Sequence, residues 1–283
     1  MLPVENIVVN GIRSVVYDSA PAASEEAVVF VHGNPGPSDD WEVLAPRVAR
    51  FARTIAMDLP GFGRAEHPYR FDFSVTGYSQ YLGALLEQLG VRRAHLVLHD
   101  FGGPFGLTWA AHHLDQLASV TLINTGVLKG YRWHRFARIW QTPIIGELFQ
   151  LISSPGMMKR ALDASNPKPL PREFIERIHG YADWPHLRTV LKLYRATRDA
   201  DAELGRLLPA DLQIDQPTCV IWGEGDSFLP ARYAQAQRDV FRNAEVHVLP
   251  KLGHWPFVDD PATVGDLLSS FLQRHVTTAV AAE

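Results

Sequence analysis

A single cysteine in 283 residues, Cys219, excludes an internal disulfide framework and any zinc site built on cysteine pairs. It sits in the apolar run PTCVIWG, where a buried, inert thiol is expected. No stretch supplies the roughly 18 uncharged apolar residues that a membrane span requires. An excess of basic residues is also missing. With 27 Lys and Arg against 31 Asp and Glu, the formal net charge is −4, which argues against a nucleic-acid partner. The opening residues MLPVENIVV carry no basic segment followed by a long apolar core. No secretory signal is therefore expected, and the default is a cytoplasmic protein with no membrane partner. Internal repeats and low-complexity tracts are absent as well. The final residues, VTTAVAAE, read as a frayed tail.

What is present is the material of a packed globular core, 46% hydrophobic and 20% charged. An Asn-Gly pair at Asn10-Gly11, flanked by β-rich runs, predicts an opening hairpin. Short apolar strands follow at 27–33, 53–60, 94–100 and 119–125, with helical patterns around 40–51, 75–90 and 103–114 between them. The alternation resumes with strands at 218–224 and 245–250 and helices near 231–241 and 262–274. Buried strands alternating with helices predict an α/β fold whose mostly parallel sheet is covered on both faces. Residues 127–206 interrupt this pattern with helical periodicity, punctuated by Pro143, Pro155, Pro167 and Pro169. That segment holds 14 Lys and Arg against 8 Asp and Glu, a net of +6 that leaves −10 for the rest. The expected organisation is a core of 1–126 and 207–283, with 127–206 as a helical cap whose charge is that of a solvated surface.

Four motifs fall at or just after predicted strand ends, where open parallel sheets gather their ligands. They are HGNPG at 32–36, HDFGG at 99–103, WGEGD at 222–226 and GHWP at 253–256. Each is weak alone; their coincidence is not. Here the chain resembles the α/β-hydrolase superfamily over nearly its whole length. In that fold a nucleophile on a sharp strand-to-helix turn is followed in chain order by an acid and a histidine. Asp100, Asp226 and His254 fit that order. Aspartate where serine hydrolases carry serine implies the branch of epoxide hydrolases and haloalkane dehalogenases. The resemblance further implies an eight-stranded sheet and no cofactor or metal. Leu98 departs from the glycine common two positions before the nucleophile, although dehalogenases often carry a larger residue there.

The chemistry suits aspartate. A carboxylate with a reference pKa near 4 is ionised at neutral pH without a base. It can displace a leaving group from saturated carbon and become an alkyl ester; attack on a carboxylic ester would give a high-energy anhydride. Hydrolysis of the enzyme's own ester then needs His254 to activate water. Asp226 is expected to orient the imidazole and stabilise its charge. The family resemblance assigns the oxyanion donors to the backbone N–H groups of Phe101 and Asn34. Asn34-Pro35 is a candidate cis peptide. His32 reads as structural, His99 as a neighbour rather than a base, and Asp259 and Asp260 as helix N-terminal charges. The strand end INTG offers Asn124 and Thr125 but no carboxylate, which leaves Asp226 as the acid.

An epoxide and a halide ask different things of the cap. An epoxide leaves as an alkoxide and needs an acid, usually a cap tyrosine in the epoxide hydrolases. The pair Tyr194-Arg195 resembles one such tyrosine, and Leu187, Val190, Leu191 and Tyr194 share a helical face. Tyr131 or Tyr181 is the candidate second tyrosine, with His134 as a less usual partner. For halide release, HGNP is the form many dehalogenases show, but Phe101 stands where their tryptophan N–H would hold the halide. Trp140 or Trp133 are the cap residues able to replace it. The loss of that N–H favours epoxide opening to a diol over haloalkane dehalogenation. A catalytically silent binding protein with a hydrolase cavity is the reading from another class. The partner expected is a small apolar organic substrate, with a homodimer as an allowed assembly.

Overall fold

Asn10 and Gly11 both adopt the left-handed region, at φ 49° and 77°, and join β1 (Glu5–Val9) to β2 (Ile12–Asp18). Positive φ at both turn positions is what a two-residue type I′ hairpin demands, and Asn-Gly supplies it at least cost. The computed structural model describes residues 1–20 and 24–277. The expected tail thus lies, from Thr278 onward, outside the described residues.

Six further strands complete the sheet: β3 (Glu26–Val31), β4 (Thr54–Met57), β5 (Arg93–His99), β6 (Leu117–Ile123), β7 (Thr218–Gly223) and β8 (Ala244–Leu249). Their order is β1-β2-β4-β3-β5-β6-β7-β8. β1 and β2 pair antiparallel, as do β2 and β4, and every later pairing is parallel. Successive side chains of a strand point to opposite faces, so the central strands feed two cores. In β3, Ala27, Val29 and Val31 enter one apolar cluster, while Val28 and Phe30 enter the other. The first cluster packs under α2 (Val75–Gln88) and α3 (Gly102–His112). The second packs under α1 (Leu44–Val48) and, near the chain end, the helix of Pro261–Gln273. Each fully buried Leu, Val or Phe contributes roughly 1.5–3 kcal/mol, so this two-sided burial is the main source of stability.

The helix expected over 40–51 is broken into a single 3-10 turn, Ser38–Trp41, and the short α1. Tertiary bonds outweigh local propensity there: Asp39 accepts the Leu2 N–H at 2.9 Å, and Asp40 pairs with Arg177 at 3.3 Å.

Between β6 and β7 run six helices: α4 (Arg135–Gln141), α5 (Ile145–Ile152), α6 (Pro155–Asp163), α7 (Arg172–Gly180), α8 (Trp184–Ala196) and α9 (Ala200–Leu207). Capping side chains open several of them. His134, Ser154 and Asp183 each accept a backbone N–H at the start of α4, α6 and α8. Pro155 opens α6 at a position where its missing N–H costs nothing. Beyond β7 lie α10 (Arg232–Ala236), α11 (Pro256–Asp259) and α12, the Pro261–Gln273 helix already placed under the second core.

Candidate active site

Asp100 is the single residue between the end of β5 and the N-cap of α3, and its backbone is left-handed at φ 49°. Aspartate tolerates that region better than most non-glycine residues. The helix can turn back so tightly because residue 102 is glycine: a Cβ there would collide with the Val31 carbonyl of β3. The departure at Leu98 is accommodated on the same turn. Its fully buried side chain fills the space that a Cβ on Gly106 would occupy. Thr125 Oγ1 donates to the Asp100 carbonyl at 2.6 Å and ties the elbow to the end of β6.

The Asp100 carboxylate meets two partners. Asn34 N–H donates to Oδ1 at 2.8 Å, and His254 Nε2 lies 3.5 Å from Oδ2. The Asn34–Pro35 peptide is cis. The Phe101 N–H makes no hydrogen bond to the carboxylate among the described residues, and the Phe101 ring is buried against Phe105, Trp133 and Tyr194.

On the other side of the imidazole, Nδ1 lies 2.8 Å from Asp226 Oδ2. Asp226 is saturated with donors. Its Oδ1 accepts the Phe228 and Leu229 N–H groups at 2.7 and 2.9 Å, and Oδ2 also accepts Asn124 Nδ2 at 2.7 Å. Burial by itself would drive the His254 pKa down, but the two flanking carboxylates outweigh it and raise it to about 10. Burial likewise works against the Asp100 charge, yet the imidazole and the Asn34 N–H hold its pKa at about 2. The resting pair is therefore carboxylate and imidazolium.

Several supports were not singled out from the sequence. Asn124, left-handed at φ 45° and fully buried, donates to Asp226 and accepts the Gly223 N–H at 3.0 Å. Its signal was an amide at the end of an apolar strand, in the position where no carboxylate stood. Asn166, from the α6–α7 connection, accepts the His254 N–H at 3.2 Å. Asp259 is the acid in the single turn of α11, as expected, and it also accepts the Gly253 N–H at 2.7 Å, fixing the loop that carries His254. Asp260 does cap α12 through Thr263. His32 accepts the Leu59 N–H at 3.0 Å through Nε2 and donates from Nδ1 to the Gly33 carbonyl at 2.8 Å, a structural role. His99 donates to the His254 carbonyl at 2.9 Å. Cys219 is buried.

A cavity of about 230 Å³ separates Asp100, Asn34 and His254 from the inserted helices, which contribute His134, Trp140, Phe149, Met157, Val190 and Tyr194 among others. The Tyr194 hydroxyl accepts Asn34 Nδ2 at 3.4 Å, so Asn34 touches both Asp100 and Tyr194. Burial, then the nearby Asp100 charge, pushes the Tyr194 pKa well up, which keeps its proton in place. Tyr131 does not join it. It is absent from the cavity wall, and its hydroxyl donates to the Phe228 carbonyl at 3.1 Å. Tyr181 is also turned away, donating to Asp39 at 3.1 Å. His134 does line the cavity. Its Nδ1 accepts the Ala137 N–H, which leaves the proton on Nε2, and burial lowers its pKa to about 4. Of the two cap tryptophans, Trp133 spends its indole N–H on the Thr197 carbonyl at 2.6 Å, whereas the buried Trp140 N–H has no partner among the described residues.

Comparison with known proteins matches residues 26–261 to the family described as alpha/beta hydrolase fold. Epoxide hydrolase 3 of Xenopus tropicalis is 27% identical over 268 residues, covering 87% of this chain and 71% of the relative. A 2-hydroxy-6-oxononadienedioate/2-hydroxy-6-oxononatrienedioate hydrolase of a Pseudomonas species is 25% identical over 264 residues, covering 88% and 89%. Among solved structures, the haloalkane dehalogenase DatA from Agrobacterium tumefaciens superposes with a TM-score of 0.82 at 22% identity, covering 96% of each chain. Three reactions thus share this fold, and likeness alone does not choose among them.

Proposed function

The chain belongs to the α/β-hydrolase fold family, and from that footing we propose that it opens epoxides to diols through an ester formed on Asp100. The observation that carries this reading is the Asn34 bridge: one residue donates its backbone N–H to Asp100 and its side-chain amide to the Tyr194 hydroxyl. With its lone pair so occupied, that hydroxyl is free to donate its own proton into the cavity. The apolar wall suits a small apolar substrate.

In the first step an Asp100 oxygen attacks a ring carbon, the C–O bond breaks, and the departing oxygen takes the Tyr194 proton. His134, neutral and protonated on Nε2, takes the second-donor place expected for Tyr131, whose hydroxyl is committed elsewhere. Esterification removes one of the two carboxylates that hold the imidazolium. The His254 pKa then falls, the imidazolium releases its proton to restore the one Tyr194 gave up, and the neutral ring is a base when a base is needed. It removes a proton from water, the hydroxide adds to the ester carbonyl, and the diol leaves with Asp100 restored. The Asn34 and Phe101 N–H groups serve the oxyanion of that second step; losing such a donor typically costs about 3 kcal/mol in the barrier. On this reading residues 127–206 are the cap.

One observation favours haloalkane dehalogenation as a second reading: the unpartnered Trp140 N–H in the cavity wall is a donor that a halide could take. The test is a His254→Gln variant exposed to epoxide and bromoalkane panels and weighed intact. The expected result is an adduct on Asp100 from epoxides. An adduct from bromoalkanes alone transfers the assignment to the second reading, and no adduct with no wild-type product removes both.

A further inference from the structure

The outer face of α5 is apolar. Half of the twelve exposed large hydrophobic side chains among the described residues fall between Ile144 and Met157: Ile144, Ile145, Leu148, Leu151, Ile152 and Met157, each 45–72% exposed. The same helix turns Phe149, Gln150 and Ser153 to the cavity, and α6 continues that wall with Met157 and Met158. A surface helix that turns its apolar face outward is not at rest in water. No free charge interrupts it. Its one acid, Glu147, accepts from the two terminal Arg195 guanidinium nitrogens at 2.7 and 2.8 Å. The turn entering the helix exposes the patch further. The Ile145 N–H bonds the Pro143 carbonyl at 2.8 Å, and Ile144 between them is forced to φ 69° with its side chain in solvent. A β-branched residue at positive φ is strained.

The surroundings of the patch carry the opposite of the chain's net charge. Residues 127–163 hold six Lys and Arg against two Asp and Glu, a net of +4 in a chain of −4. Arg132, Arg135, Arg138 and Arg160 make no ion pair among the described residues, whereas both acids of the segment are paired. A second copy of the chain is a poor occupant: a two-fold contact sets the same patch on both sides, so each cationic flank would face another. An anionic bilayer surface satisfies both features, since apolar side chains enter the acyl boundary while arginines meet the head groups.

We infer that the α4–α6 face docks on an anionic lipid surface and lets apolar substrate pass from the bilayer to the cavity behind α5. The sequence expectation of no membrane partner rested on the lack of a span, and no helix among the described residues is long and apolar enough to cross a membrane; a peripheral helix needs none. The probe is flotation of the intact protein with phosphatidylcholine vesicles, with and without phosphatidylglycerol. Wild type is expected to float with the anionic vesicles and to be released by salt. Leu148→Glu with Leu151→Glu should cut binding by about tenfold or more. Arg138→Ala with Arg160→Ala should cut it less and flatten the salt dependence. Both pairs should keep the wild-type melting temperature. Failure of wild type to float, equal flotation with neutral vesicles, or full binding by the double Glu variant overturns the inference. So does a wild-type dimer in sedimentation that the Glu pair dissociates while vesicles stay unbound. Flotation needs no turnover, so its failure leaves the hydrolase reading untouched.

Discussion

The two walls of the cavity are built on opposite principles. On the sheet side, polar groups are held from several directions. Asp226 takes bonds from Asn124, Phe228, Leu229 and His254, and the His254 loop is pinned by Asn166 and Asp259. On the inserted side the wall is mainly aromatic and aliphatic, interrupted by the polar groups of His134, Trp140, Gln150, Ser153, His186 and Tyr194. Three of the eleven buried polar side-chain atoms without partners among the described residues belong to residues that line this cavity: Asn34 Oδ1, Trp140 Nε1 and His186 Nδ1. Since buried polar groups are ordinarily satisfied, the contrast separates a preorganised reacting centre from a surface waiting for a ligand's atoms. On the proposed reading, the chemistry belongs to the strand ends and the choice of substrate to the helices.

The bluntest way to break that division is at the sheet wall. Asp100→Ala should lower turnover by about 10⁴-fold or more, because the group that forms the covalent intermediate is gone. Product assays on a natively folded variant check this, and substantial residual turnover would move the nucleophile elsewhere. Asp226→Asn should cost about 10³-fold or more, as the imidazole loses its orienting charge. Its signature is slow decay of the ester rather than slow formation, read by single-turnover mixing.

Changes in the helical wall should be smaller and should depend on the substrate. Tyr194→Phe is expected to slow epoxide opening by about 10²-fold, with halide release from any bromoalkane substrate unchanged. His134→Gln should slow the same step by about tenfold. Equal effects on both substrate classes would mean that these side chains shape the pocket rather than protonate a leaving oxygen.

The pH dependence of stability sharpens the comparison further. His254 has a folded-state pKa raised to about 10 above an ordinary value of 6.5. Its contribution is therefore complete below about pH 6.5 and is lost as pH rises through about 10. In urea titrations the stability advantage of wild type over His254→Gln should shrink across that interval. An advantage that grows with pH would reverse the assigned charge state. The smallest effect is expected at Tyr131→Phe, which deletes one bond to the Phe228 carbonyl: about 1 kcal/mol of stability, with epoxide opening unaffected.

How legible these walls were in the sequence follows the same division. Strand ends announce themselves locally, by an apolar run breaking into a glycine-rich polar motif. The structure brings Asp100, His254 and Asp226 within 3.5 and 2.8 Å of one another in succession. Asn124 was noted only as the lack of a carboxylate and Asn166 was not singled out, because a single amide in a loop or strand end carries no periodicity. Tyr194 lay on a helical face that could be counted, and its ring does reach the cavity. Tyr131 lay in a connection with no face to count, and its hydroxyl went to a backbone carbonyl.

Local pattern by itself determined the alternation of strands and helices, the Asn10-Gly11 hairpin and the sharp turn at Asp100. The signal for each lies in residues within a few positions of one another, although the turn at Asp100 also relies on glycine at 102 to clear the Val31 carbonyl of β3. Tertiary structure alone decided which tyrosine faces the carboxylate, which tryptophan N–H stays unpaired and which side of α5 is left in water. Those outcomes depend on how helices far apart in sequence pack over the sheet, and a side chain's direction there is set by its neighbours in space rather than along the chain.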